Sequence, residues 1–205
     1  MLFSDSYKTI SEASQAEFKD KGSRFIGYAF PVVNEAGVKD IIQKLKREHY
    51  AAAHHCYAFV LGAAQQVQKS NDDREPNNTA GKPILRAILS KELTNTLVVV
   101  VRYFGGKLLG VPGLIHAYGE AAVLALNTAE ITEKIISERY RIEGSFEDEN
   151  EVYRIYKNFG LKIIEHTYNL SRFTSVFEVR KLKADEVLAA IKDKRLFNIT
   201  FVEEA

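Results

Sequence analysis

Residues 97–119 constrain the fold more than any other part of the chain. The run from Leu97 to Val101 is apolar and mostly β-branched, which predicts a strand buried on both faces. It meets Arg102, then four glycines within nine positions (Gly105, Gly106, Gly110 and Gly113), then an apolar helix from Leu114 to Ala129 with Glu120 as its interior charge. A strand that hands its backbone to a glycine-rich turn at a helix start can bring main-chain N–H groups close to an anion, because glycine has no Cβ and the helix dipole adds positive potential. The spacing matches neither the nucleotide P-loop nor the dinucleotide fingerprint. It fits tight packing of strand, turn and helix as well as it fits an anion site.

At 205 residues the chain can hold one large or two small domains. Its single cysteine, Cys56, excludes an intramolecular disulfide framework and fits a reducing compartment. No stretch approaches the length of a membrane span, so a soluble cytoplasmic protein without membrane contact is expected. The net charge is +1, distributed as +2 over residues 1–130 and −1 over the rest. That balance lacks the overall basic excess of sequence-indifferent nucleic-acid binders, so any such contact must come from a local patch.

Period-2 patterns predict a hairpin turning at Asp20-Lys21-Gly22 and a strand from His54 to Leu61. Asn34 is placed to cap a helix with Val38, Ile41, Ile42 and Leu45 on one face. A polar run from Thr128 to Lys134 marks the expected boundary between domains at 1–132 and 133–205. Beyond it, Tyr140 and Ile142 alternate with charges, Ser145 is positioned to cap a helix ending at Gly160, two strands follow, then a helix carrying Ala184, Val187, Leu188 and Ile191, and a last strand. This β-α-β-β-α-β order is the ferredoxin-like plan, and the fold class expected for the whole chain is α+β.

Ser70 to Pro83 combines Asp72, Asp73 and Glu75 with two prolines and turn-forming asparagines, the composition of a rigid surface loop. Three carboxylates could hold a divalent cation or do acid–base work, or one could pair with Arg102. His54 and Cys56 share one strand face and His55 and Tyr57 the other. One cysteine and no zinc spacing argue against a metal site, and Cys56 reads as a small buried hydrophobe. His116 is expected in the first helical turn after the glycines, facing the anion site or solvent.

Thr79-Ala80-Gly81-Lys82-Pro83-Ile84-Leu85, followed by Val99-Val100-Val101-Arg102-Tyr103-Phe104-Gly105-Gly106-Lys107-Leu108-Leu109-Gly110, resembles the pattern of the IMPACT family, in its bacterial YigZ-like branch. His54-His55-Cys56, Lys21-Gly22-Ser23-Arg24-Phe25 and Asp72-Asp73-Arg74-Glu75-Pro76 add to the resemblance. Arg74 departs from it, standing where a D-D-G-E-P glycine is usual. The resemblance implies an N-terminal domain similar to domain 2 of ribosomal protein S5 and a C-terminal domain similar to domain V of elongation factor G. It also implies a translation-associated regulatory protein, with RNA or the ribosome as partner and no cofactor.

On this reading Arg102, Gly105, Gly106, Lys107, Gly110, Gly113 and His116 line an anion- or nucleic-acid-binding groove shaped by His54, Asp72, Asp73, Glu75, Thr79 and Gly81. No residue is assigned to catalysis or metal binding, and a non-enzymatic role is favoured. The alternatives are a metal-assisted enzyme acting on a small anionic substrate and a protein-binding adaptor.

Overall fold

The computed structural model describes residues 5–204. The chain divides into two compact units, one of residues 7–134 and the other of residues 135–204 together with Asp5 and Ser6. Among the described residues, several antiparallel sheets and five α-helices make it an α+β protein. No helix among the described residues is long and apolar enough to cross a membrane.

In the first unit, β1 (Ser6–Ile10) pairs with β7 (Ile131–Ile135), and five strands form the main sheet. These are β2 (Ser14–Asp20), β3 (Ser23–Pro31), β4 (His54–Leu61), β5 (Val67–Asn71) and β6 (Thr96–Tyr103), in the order β2-β3-β6-β4-β5. The β2–β3 hairpin turns on Lys21 and Gly22, both at positive φ (44° and 83°), the two-residue geometry whose twist matches the flanking strands. β6 lies at the centre, antiparallel to β3 and β4, and seven of its eight residues are buried. That is why its sequence is a continuous apolar run instead of an alternation.

Side chains on one face of the sheet, among them Phe25, Cys56, Val98 and Val100, pack under α2 (Gly81–Ser90) and α3 (Gly110–Thr128). The other face, with Ile26, Phe59, Leu97 and Val99, lies under α1 (Glu35–Glu48). Asn34 caps α1 by accepting the Gly37 N–H at 2.9 Å. The far end of α1 is fixed by His49, whose ring nitrogens meet Tyr28 Oη at 2.8 Å and Tyr103 Oη at 2.9 Å. α3 can approach β3 because residue 27 has no side chain: a Cβ there would lie 2.3 Å from the Ala121 carbonyl oxygen.

The second unit runs β8 (Ser137–Ser145), a 3-10 turn (Phe146–Asp148), α4 (Glu149–Phe159), β9 (Lys162–Asn169), β10 (Arg172–Arg180), α5 (Lys181–Asp193) and β11 (Asn198–Glu204). Its sheet is antiparallel throughout in the order β11-β8-β10-β9. Ile142, Phe173 and Phe177 pack with Val152, Tyr156, Val187 and Ile191 from the helices. Ser145 is not a helix cap. Its Oγ donates to Asp148 Oδ2 at 2.5 Å across the 3-10 turn, and α4 begins only at Glu149. Gly160 does end α4 in the left-handed conformation, at φ 61° and ψ 40°. Asp5 accepts both Nε and Nη2 of Arg180 at 2.9 Å.

The α3–β3 contact sets the first stability prediction. Gly27→Ala forces backbone against backbone, with no side chain able to yield. A urea titration should show a loss of about 3 kcal/mol, the upper part of the usual range for an overpacked core.

Candidate functional site

A cluster of polar and ionisable groups of the first unit gathers at one end of the main sheet. β4 delivers His54 and Cys56, β6 delivers Arg102, α3 delivers Tyr118, and the loop after β5 delivers Glu75. Arg102 and Glu75 are 5% and 8% exposed, a depth at which an ionised side chain needs a partner. Arg102 Nη1 donates to Glu75 Oε1 at 2.5 Å, and the Tyr118 hydroxyl donates to the same oxygen at 2.7 Å. The guanidinium carbon also lies 5.4 Å from the Phe25 ring centroid and 5.6 Å from that of Phe104.

His54 Nε2 stands 3.6 Å from Glu75 Oε1, while its Nδ1 meets the Asp73 carbonyl oxygen at 2.8 Å. A carbonyl only accepts, so Nδ1 carries a proton. Cys56 donates its S–H to the Asp72 carbonyl at 3.1 Å, and burial pushes its thiol upward, away from the thiolate a nucleophile needs. Burial, followed by the neighbouring Cys56 and Glu75, likewise raises the Tyr118 phenol and keeps it a donor. On the opposite face, His55 is held neutral by burial, which lowers its pKa, and its Nε2 has no hydrogen-bond partner among the described residues.

The three carboxylates of the loop do not converge. Asp72 Oδ1 accepts the N–H groups of Ala80 (3.0 Å) and Gly81 (2.8 Å) at the start of α2, and its Oδ2 accepts that of Asn78 at 2.9 Å. Asp73 Oδ2 accepts the His55 N–H at 2.7 Å, while its Oδ1 lies 3.6 Å from Lys46 Nζ. Thr79 donates to the Pro76 carbonyl at 2.7 Å. Among the described residues, no group of three or more His, Cys, Asp or Glu could hold a metal ion. Of the three carboxylates, Glu75 is the one that pairs with Arg102, and Asp73 faces elsewhere. The loop holds Asp73, Arg74 and Asn78 at positive φ (38°, 72° and 65°), so glycine suits the position Arg74 occupies.

The glycines divide into two kinds. A Cβ on Gly105 would lie 1.9 Å from the carbonyl carbon of Gly22, and one on Gly81 would lie 2.8 Å from Asn71 N, so both permit backbones to touch. Gly113 instead makes room for a side chain, its Cβ position 2.9 Å from Leu109 Cβ. Gly106 (φ 80°) has nothing within 4 Å of a built Cβ, and Gly110 (φ 73°) has only Pro112 Cδ at 3.9 Å. These two shape a turn that opens outward. Gly110 and Gly113 belong to the first turn of α3 and not to the loop. The start of α3 has no side-chain cap and no acidic residue in its first turn.

Two expectations are corrected here. Arg102 does not present its guanidinium to solvent, because it is buried and bonded to Glu75. His116 lies in the second turn of α3, exposed, with its ring edge-to-face with Phe18 at 5.7 Å. Lys107 is exposed, as are the apolar Phe104 (51%) and Leu108 (86%) beside it. Sequence reasoning gave no role to Tyr118 or Phe104. The available signal was a tyrosine on an otherwise apolar buried helix, whose hydroxyl requires a partner.

Comparison with known proteins gives a consistent picture. The Impact N-terminal domain profile matches residues 21–126. The chain is 34% identical to the IMPACT family member YvyE of Bacillus subtilis over 98% of this chain and 95% of that protein. It is 33% identical to the IMPACT family member YigZ of Escherichia coli over 72% and 74% respectively. The crystal structure of a hypothetical protein superposes over 98% of this chain and 99% of its own, with a TM-score of 0.72 and 27% identity. The segments that carry the family pattern are the ones that touch here: Gly22 on Gly105, His54 beside Glu75, and Glu75 on Arg102.

Two substitutions in the loop should move stability in opposite directions. Glu75→Ala leaves a buried guanidinium unpaired and should cost about 3–5 kcal/mol. Arg74→Gly relieves the left-handed backbone and should stabilise by up to about 1 kcal/mol. Urea midpoints of the two variants against the parent check both.

Proposed function

Because the chain belongs to the IMPACT family, we propose that it is a translation-associated regulatory protein that binds RNA or a ribosomal site through the glycine-rich end of its first unit. The observation that carries this reading is the uncapped start of α3. The N–H groups of Gly110, Val111 and Gly113, Pro112 having none, and the helix dipole favour a phosphate, Gly106 and Gly110 leave the approach open, and Lys107 adds a positive charge. Phe104, half exposed and backed by the Arg102 guanidinium, offers a face on which a base can stack. Arg102 acts here as a positioning residue: it holds Phe104 and the Glu75 loop, and phosphate meets Lys107 and the helix start.

The same reading takes the first unit as similar to domain 2 of ribosomal protein S5 and the second as ferredoxin-like, similar to domain V of elongation factor G. The β-α-β-β-α-β order and the β11-β8-β10-β9 sheet support the latter. The aromatics of the second unit's central strands, Tyr140, Phe173 and Phe177, pack on its helical side. Its opposite face carries alternating charges such as Arg139 and Glu178, paired with each other at 3.1 Å. That distribution favours the first unit for contact with bases. The separate partners of Asp72, Asp73 and Glu75 weaken the metal-assisted alternative.

Fluorescence anisotropy of a labelled RNA hairpin across a salt series tests the reading. Binding should appear at low salt and weaken as salt rises. Lys107→Ala should lower the log–log salt slope by about 0.9, the share of one phosphate contact on duplex. Phe104→Ala should weaken binding about tenfold, within the range of one lost stacking contact. Absence of binding by the parent chain at low salt overturns the reading.

A further inference from the structure

α1 covers the middle of its sheet face and leaves a groove on its β5 side with a volume of about 840 Å³. One wall is the α1 stripe of Glu35, Lys39 and Lys46; the floor is Tyr57 of β4, and Lys69 and Asn71 of β5 form the other side. β5 is the last strand of its sheet, so among the described residues its outer backbone edge has no partner strand. A strand edge with a groove beside it is the geometry for adding an extended peptide, with main-chain bonds giving affinity and alternate side chains entering the groove.

We propose that this groove takes an acidic peptide as an added strand on β5. The lining carries three lysines and one carboxylate, Glu35: Lys69 pairs with Glu35 at 2.6 Å, Lys46 is loosely held at 3.6 Å by Asp73, which does not line the groove, and Lys39 has no ion-pair partner among the described residues. Lys39 and Lys46 lie seven residues apart on α1, roughly 10 Å along its axis. Alternate residues of an extended peptide are spaced by about 7 Å. Acidic residues at alternate positions therefore meet both lysines within the reach of flexible side chains.

Charge selects this occupant over a second copy of the chain. Antiparallel pairing of β5 with itself about its middle residue sets Lys69 opposite Lys69, which is unfavourable. A single-stranded nucleic acid fits less well, because Phe59, the ring stacked with Tyr57, is only 3% exposed and offers no free face to a base.

The test uses the full chain, labelled with 15N and titrated with an eight-residue alternating Glu–Thr peptide, followed by amide shifts and by anisotropy of the fluorescein-labelled peptide. The expected result is saturable shifts concentrated at residues 67–71, with Lys39→Glu weakening binding at least fivefold and Phe104→Ala leaving it unchanged. The last comparison separates this site from the RNA-binding reading. Equal binding of an alternating Lys–Thr peptide overturns the proposal. So do shifts confined to other strands, or a response of residues 67–71 to oligouridylate but not to the acidic peptide.

Discussion

The buried ion pair between Arg102 and Glu75 is the interaction on which the first unit's functional end depends. Arg102 sits on the central strand and Glu75 on a loop without regular structure, so the pair ties the least regular segment to the most buried one. Removing two charges from water is costly, and the attraction between them offsets that cost only when the remaining polar valences are met. Glu75 Oε1 also accepts from Tyr118, with His54 Nε2 3.6 Å away, whereas Arg102 Nε has no hydrogen-bond partner among the described residues and its guanidinium lies against Phe25 and Phe104. Buried pairs of this kind often hold no more firmly in free energy than an apolar pair of similar volume. The charged pair does something different, fixing the orientation of three groups on three separate elements through one carboxylate oxygen.

That arrangement commits each member of the cluster to a structural partner. Cys56 is a neutral thiol bonded to a backbone carbonyl, Tyr118 is a committed donor, and His54 is held by the Asp73 carbonyl through its protonated nitrogen. No nucleophile is paired with a free base. The ion-pair network gives the loop a single shape, with three non-glycine residues held at positive φ.

The elements legible in the sequence were those whose burial has a period. The hairpin at Lys21-Gly22, α1 with its Asn34 cap, β8, β10 and the helices of the second unit carry a buried stripe or an alternation, and β4 and β6 a nearly continuous apolar run. β1, β5 and β7 do not. Val67-Gln68-Lys69-Ser70-Asn71 is a short edge strand with little to bury, and edge strands avoid the apolar alternation that would betray them. The start of α3 was placed four residues late, because Gly110, Pro112 and Gly113 read as loop although the helix begins at Gly110, itself at φ 73°. Of the candidate site, the joining of Glu75 to Arg102 was legible as charge seeking charge. The inward turn of Arg102 was not, since a basic residue at the end of an apolar strand can equally face out. Nor did His49 and His166 give a signal, because their partners Tyr28, Tyr103 and Glu149 lie 17 or more residues away.

The local field follows from which charges are already answered. Two helices begin at this end of the sheet, each with a positive dipole end. At α2, Asp72 accepts the N–H groups of Ala80 and Gly81, so its carboxylate neutralises that start. Glu75 is neutralised by Arg102, and Asp73 is turned toward His55 and Lys46. The negative charges of the loop are therefore committed before they reach α3, whose start has neither a cap nor an acid in its first turn. The positive potential left there comes from the backbone and Lys107, and it survives because the acidic loop is closed upon itself.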